Sequence, residues 1–337
     1  MTATAVQAPQ VVTASPHLRP ADSTPRIMWT VTATLVPVIA ASAWFFGVSA
    51  LLEVAAASLG ALAAERAFGK GGTLIDGSAL ITGVLLGLSL PAGLPLWMSC
   101  LGGAFGIAFG KAVWGGLGQN VFNPALIGRA FLQAAFPVAI TTWPAVGRSF
   151  WSLRGDLFAP PFLHPRLDAV TSATPLGLLK FEGTGTPIGK LILGNTGGSL
   201  GETAALIILA CGVYLALRGY LNWRAPVAML VTVAVFSAVI HFVDARRPDA
   251  LFMLFSGGLM LGAVYMATDP VTSPVTTRGR WVFGFGIGVL VVLIRVWGGL
   301  PEGVMYAILF MNALVPFINR ATQPRVFGHG LEAKKAA

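Results

Sequence analysis

Apolar runs of membrane-spanning length, divided by short polar connections, fill this chain from Ile27 to Phe317 and leave little sequence for a water-soluble core. Only 10% of the 337 residues are charged, against 55% hydrophobic. Soluble domains carry about 25% charged residues, so this composition cannot solvate an ordinary globular surface. In a bilayer, every backbone N–H and C=O must be satisfied within the segment or by a closed barrel. Runs of this length therefore predict an all-α integral membrane protein.

The expected segments are Ile27 to Gly47, Val48 to about Ala64, Ser78 to Leu90 (stopped by Pro91), Leu94 to Val113, and Phe122 to Ile140, which is interrupted by Pro124 and Arg129. A second set covers Leu200 to Leu217, Pro226 to Val243, Leu251 to Ala267, Trp281 to Trp297 and Val304 to Phe317. This makes about ten transmembrane or half-membrane helices. Between the sets lies a polar interval from Thr141 to Gly198, rich in Pro and Gly, which reads as an ordered extramembrane loop. The domain reading is a tail at 1–26, a first membrane repeat at 27–140, the loop at 141–198, a second membrane repeat at 199–319 and a tail at 320–337. The first tail is polar, rich in Ala, Thr and Pro, and lacks the early apolar core of a signal peptide.

The two sets share sequence. Val113-Trp114-Gly115-Gly116-Leu117 precedes the fifth segment and Val296-Trp297-Gly298-Gly299-Leu300 precedes the tenth. Gly83 and Pro91 bracket the end of the third segment much as Gly262 and Pro270 bracket the eighth. Five spans per copy is an odd number, so the second copy must cross in the opposite sense, giving two inverted five-helix repeats. Lys and Arg in the short connections favour cytoplasmic N- and C-termini by thirteen to two, which puts the long loop on the periplasmic or extracellular side.

Several function classes fall away. The formal charge of +9 comes from Lys and Arg beside hydrophobic segments, not from a basic patch interleaved with aromatics, so nucleic acid is not an expected partner. Cys100 and Cys211 stand alone in apolar runs, and the four histidines are scattered. No metal site is expected.

The polar interval carries the sharpest local signal: Asp168-Ala169-Val170-Thr171-Ser172-Ala173-Thr174-Pro175-Leu176. Read as residues alone, it offers a carboxylate, three hydroxyls and a proline-directed turn, which suits an Asx or Ser/Thr turn. The same stretch resembles the Asp-x-x-Ser/Thr-x-Ala-Thr motif recognised by flavin transferases, which join FMN through its phosphate to the last Thr. Further blocks along the chain strengthen the resemblance. They include Ser15-Pro16-His17, Thr82-Gly83-Val84-Leu85-Leu86, Gly115-Gly116-Leu117-Gly118-Gln119-Asn120 with Phe122-Asn123-Pro124-Ala125, Gly198-Ser199-Leu200-Gly201-Glu202-Thr203, Ala267-Thr268-Asp269-Pro270-Val271-Thr272 and Pro301-Glu302-Gly303. Together they resemble the D subunit of Rnf-type ion-translocating electron-transport complexes and the related B subunit of sodium-pumping NADH:quinone reductases. The short N-terminal region favours the D type. One departure is Ser172, where such motifs often have Gly.

The resemblance implies covalent FMN on Thr174, with Asp168, Thr171, Ser172 and Ala173 as the rest of the recognised motif and Asp168 orienting the loop. It implies a flavin transferase for maturation and other subunits of an Rnf-type complex as partners in a bacterial cytoplasmic membrane. The implied reaction links ferredoxin and NAD to ion movement, and this subunit alone is not expected to be active. The chain has no Gly-x-Gly-x-x-Gly nucleotide fingerprint after a strand.

Ionisable residues inside or near the segments are few: Glu53, Lys111, Arg129, Glu202, Asp269, Arg295 and Glu302. Such charges are costly in a bilayer and invite a functional reading. Asn120, Asn123, Thr268, Asp269, Glu302 and Asn312 fall at matching places in the two repeats. They can line a shared pocket for a second, non-covalent flavin such as riboflavin, or for an ion. They can equally satisfy the loose ends of half-helices. Two other functions stay open: a non-redox channel or secondary transporter with the same repeat, and a flavinylated subunit of another extracytosolic electron-transfer chain.

Overall fold

The computed structural model describes residues 22–68, 73–147, 149–161 and 173–324. Among them the chain is helical, with no β-strand. Six helices are long and apolar enough to cross a membrane: Thr24–Phe46 (α1), Val48–Phe68 (α2), Leu200–Leu217, Arg224–Val243, Thr277–Trp297 and Val304–Thr322. The third of these opens as a 3-10 turn and runs on as α9 (Ala205–Leu217).

The four other expected segments are helical but short or broken. α3 is Ser78–Ser89, at 12 residues about 18 Å long and well under the roughly 30 Å of a bilayer core. α4 (Leu96–Ile107) continues through a π turn at Ala108–Ala112. α5 (Pro124–Ala135) stops at Phe136, and Pro137 opens the single turn α6 (Pro137–Ile140). In the second set, α11 (Ala250–Phe255) breaks at Ser256 and resumes as α12 (Leu259–Leu261) with a following π turn, Gly262–Met266. Two short helices lie in the long polar interval, α7 (Pro175–Gly177) and α8 (Ile188–Leu193). Completing the chain are α10 (Arg224–Val243), α13 (Thr277–Trp297) and α14 (Val304–Thr322).

Local chemistry accounts for the helix starts. Asn123 extends its side-chain oxygen to the N–H groups of Ala125 and Leu126, at 3.0 and 3.4 Å, and Pro124 occupies the position where no donor is needed. Asp249 caps α11 through Phe252 N–H at 2.8 Å, and Thr276 caps α13 through Gly279 N–H at 3.0 Å.

Glycines let the helices of the first set touch backbone to backbone. A Cβ on Gly103 would overlap the Ala57 carbonyl, one on Gly60 the Cys100 carbonyl, and one on Gly83 the Ser58 backbone. α2 is thereby wedged between α3 and α4, the small-residue packing that replaces the hydrophobic drive in lipid. Gly103→Val is expected to force the two helices apart. The cost should be at least about 1–3 kcal/mol, read as a lower unfolding temperature of the detergent-purified protein.

The start of the long interval is not loose. Arg154, only 2% exposed, donates to the carbonyls of Ala145 and Phe45, and its guanidinium lies 5.4 Å from the Phe46 ring centroid. Phe150 accepts from Val48 N–H at 2.9 Å. These bonds strap the segment across the turn between α1 and α2.

Candidate functional site: two cavities

Thr174 stands half-buried at the entrance to α7. Its backbone is extended (φ −67°, ψ 153°), as the following Pro175 requires, because a proline crowds a helical conformation in the residue before it. The Thr174 hydroxyl oxygen accepts from Gly177 N–H at 3.1 Å and so caps the helix. Downstream the helix widens into a π turn, Leu178–Glu182, and closes on Gly183 in the left-handed conformation (φ 69°). Pro175 and Leu176 are buried, and Leu176 packs in the main core.

Beside Thr174 opens a cavity of about 740 Å³. Ala173, Thr174 and Gly177 form one side, with Phe181 and Glu182. Trp143 and Tyr306 add aromatic wall, and Arg129, Glu202 and Glu302 supply charge. These groups come from both sets of helices: Arg129 from α5, Glu202 from the 3-10 start of the Leu200–Leu217 helix, Tyr306 from α14. A concave site of this size, apolar with a few converging polar groups, is typical of ligand and cofactor pockets.

The charges are held, not loose. Arg129 donates to the Ser89 carbonyl at the end of α3. Arg295 donates to the Met253 and Ser256 carbonyls at 2.7 and 3.0 Å and to Glu302 at 3.1 Å. Glu302 in turn accepts from Gly258 N–H at 3.0 Å. Ser199 donates to Glu202 at 2.8 Å. The broken ends around Ser256 to Gly258 are thus satisfied by the buried Arg295 and its half-buried partner Glu302.

A second, smaller cavity of about 110 Å³ lies elsewhere. Asn120, Asn123, Thr268 and Asp269 line it, together with Ser78, Lys111, Tyr265 and, from α1, Ile27, Met28 and Val31. Lys111 donates to Glu65 at 2.9 Å and to Ser78 at 2.7 Å, with both ionic side chains 4% exposed. Tyr265 donates to the Thr34 hydroxyl at 3.1 Å. Glu202 lines the larger cavity and Leu215 the smaller. Thirteen residues of one helix therefore set them roughly 20 Å apart, at opposite ends.

The six polar residues expected to share one pocket therefore divide. Four line the smaller cavity, while Glu302 lines the larger one beside Thr174. Asn312 reaches neither; it is 1% exposed, and with its amide turned to satisfy both neighbours it donates to the Ile308 carbonyl and accepts from Asn123 N–H, each at 3.2 Å. Asn123 itself is shared between lining and capping. The repeated Val-Trp-Gly-Gly-Leu turn divides in the same way: Leu117 lines the smaller cavity and Leu300 the larger. Asp168, Thr171 and Ser172 lie outside the described residues. Arg129 and Glu202 were visible in the sequence as charges in apolar surroundings but carried no pointer to Thr174. Trp143 gave no signal at all.

Comparison with known proteins agrees along nearly the whole chain. The model of the NQR2, RnfD, RnfE family matches residues 11–328. The chain is 40% identical over 332 residues to the D subunit of the proton-translocating ferredoxin:NAD(+) oxidoreductase complex of Clostridium ljungdahlii, covering 94% of this chain and 96% of that protein. It is 39% identical over 325 residues to the Na(+)-translocating counterpart of Acetobacterium woodii, covering 94% and 95%. To the D subunit of the ion-translocating oxidoreductase complex of Stutzerimonas stutzeri it is 41% identical over 338 residues, covering 93% and 94%.

Proposed function

Because the chain belongs to the NQR2, RnfD, RnfE family, we propose that it is the D-type membrane subunit of an ion-translocating oxidoreductase complex, carrying FMN covalently on Thr174. The complex couples electron transfer between ferredoxin and NAD to ion movement, and this subunit acts only within it. Its two helix sets are inverted repeats, its termini are cytoplasmic, and the Thr174 cavity faces the outer compartment.

The observation that carries the flavin reading is the larger cavity itself. The hydroxyl of Thr174 sits at its edge, and a space of about 740 Å³ with Trp143, Phe181 and Tyr306 around it suits a flat aromatic ring. The residues present fit the group. When bound, FMN supplies one-electron transfer at the membrane surface. The chain does the rest. Thr174 would hold the phosphate through its hydroxyl oxygen at the entrance to α7. The aromatic wall offers faces on which a flat ring can stack, and Arg129 brings a positive charge to the cavity. The four polar residues of the smaller cavity, Asn120, Asn123, Thr268 and Asp269, face the cytoplasmic side and are candidates for a second, non-covalent flavin such as riboflavin.

Co-expression with a flavin transferase, followed by mass analysis of the peptide bearing Thr174, tests the reading. The expected result is the mass of an FMN phosphoester on that peptide. An unmodified peptide from fluorescent membranes would place the flavin elsewhere.

A further inference from the structure

Lys180 follows Thr174 by six residues on the same short helix, and it makes contacts that reach across the fold. Its ammonium shares its three hydrogens among four carbonyls, those of Ile294, Arg295, Gly298 and Leu300, at 3.3, 3.0, 2.5 and 2.9 Å. All four belong to the last turn of α13 and the Val-Trp-Gly-Gly-Leu turn that follows. A helix C-terminus leaves its last carbonyls without intrahelical partners and carries partial negative charge, so a cation is favoured there. Burial pushes the Lys180 ammonium below the ordinary lysine range, as expected for a charge drawn out of water.

The same turn is gripped from its other side. Arg295 and Glu302 tie it to the broken end of α11, and Leu300, Pro301 and Glu302 line the larger cavity. Lys180 therefore joins the attachment segment to the turn that forms another part of the cavity wall.

We propose that Lys180 is a positioning residue that holds the Thr174 segment against the rim of the larger cavity, so that a group carried on Thr174 keeps a fixed place. A tether through one phosphoester is flexible by itself, since rotation about its single bonds lets the carried ring swing. Leu176 plugs the segment into the core at one point, and Lys180 supplies the second point that stops it pivoting. The consequence for a carried flavin rests on the Thr174 reading above; the anchoring itself does not.

The test uses the membrane complex with the chain as wild type, Lys180→Met, Lys180→Arg and Lys190→Met. Methionine keeps the unbranched stem and removes the charge, and Lys190 is an exposed lysine on α8. The first readout is hydrogen exchange of the amides of 176–182. In Lys180→Met it is expected to rise roughly ten-fold, the scale of a lost hydrogen bond to a charged group, while the six long helices stay protected. Lys180→Arg should recover most of the protection, and Lys190→Met should match wild type. The second readout is the polarised fluorescence decay of the attached flavin. A fast component should appear in Lys180→Met at unchanged attachment. Unchanged exchange, or loss of protection throughout the helices, would overturn the positioning role. If attachment itself fails in Lys180→Met, Lys180 serves the transferase and the proposal also falls. Raised exchange in a wild-type background that carries no flavin keeps the anchor and removes the attachment reading instead.

Discussion

Thr174→Ala is expected to leave the chain dark in a denaturing gel after co-expression with a flavin transferase, whereas the wild type fluoresces. The effect should be complete, because alanine has no oxygen to esterify. The substitution also removes the bond from Gly177 N–H to the Thr174 oxygen. Loss of such a cap costs typically about 1 kcal/mol, and the helix it starts is a short one at the surface of a large helical bundle. The protein should therefore still insert, with nearly unchanged unfolding temperature, so darkness reports missing chemistry and not missing protein. Thr174→Ser separates the two roles further. It keeps a capping oxygen and a hydroxyl, and is expected to retain stability while accepting flavin less completely. Equal fluorescence from Thr174→Ala would end the attachment hypothesis, and the larger cavity would need another occupant.

The largest stability effect is expected at the opposite end of the bundle. Lys111 and Glu65 are each 4% exposed and meet at 2.9 Å, with Lys111 also on Ser78 and Ser78 on Asp76 at 2.6 Å. Replacing Lys111 by Met leaves the Glu65 carboxylate buried without its counter-charge. Breaking one partner of such a pair costs about 3–5 kcal/mol. The double replacement, Lys111→Met with Glu65→Leu, should recover most of that loss, because two apolar side chains of similar length carry no desolvation penalty. Thermal unfolding in detergent reads both. A double variant as unstable as the single one would show that the pair organises more than its own charges, through Ser78 at the start of α3. The same double variant bears on the smaller cavity. Lys111 lines it, so a restored unfolding temperature together with lost non-covalent flavin would mark the lysine as a ligand contact.

Much of the helical pattern was legible because bilayer-length apolar runs have one main way to satisfy their backbones. Each of the ten expected segments carries helix, with boundaries shifted by a few residues. The shorter ones were also marked: Pro91 follows the end of α3, and Pro124 opens α5. The break at Ser256 to Gly258 was not marked. Gly257 and Gly258 there resemble the many other glycines that serve close helix packing, such as Gly60 and Gly103. What distinguishes Gly257 is its left-handed backbone (φ 68°) and the Arg295–Glu302 pair that receives the exposed ends.

The sequence by itself determined that this chain is a helical membrane protein, and the short blocks spread along it pointed to the family. Those are local properties: hydrophobic run length, proline positions and short identities survive without knowledge of contacts. Only the tertiary structure decided which groups share a cavity. Arg129, Glu202, Glu302 and Tyr306 share a cavity with Thr174 from segments up to 132 residues away, and Lys180 reaches carbonyls 114 to 120 residues on. No period or spacing encodes such meetings, because they depend on how helices of both sets pack. The same packing sent Leu117 and Leu300, identical in sequence setting, to opposite ends of the bundle.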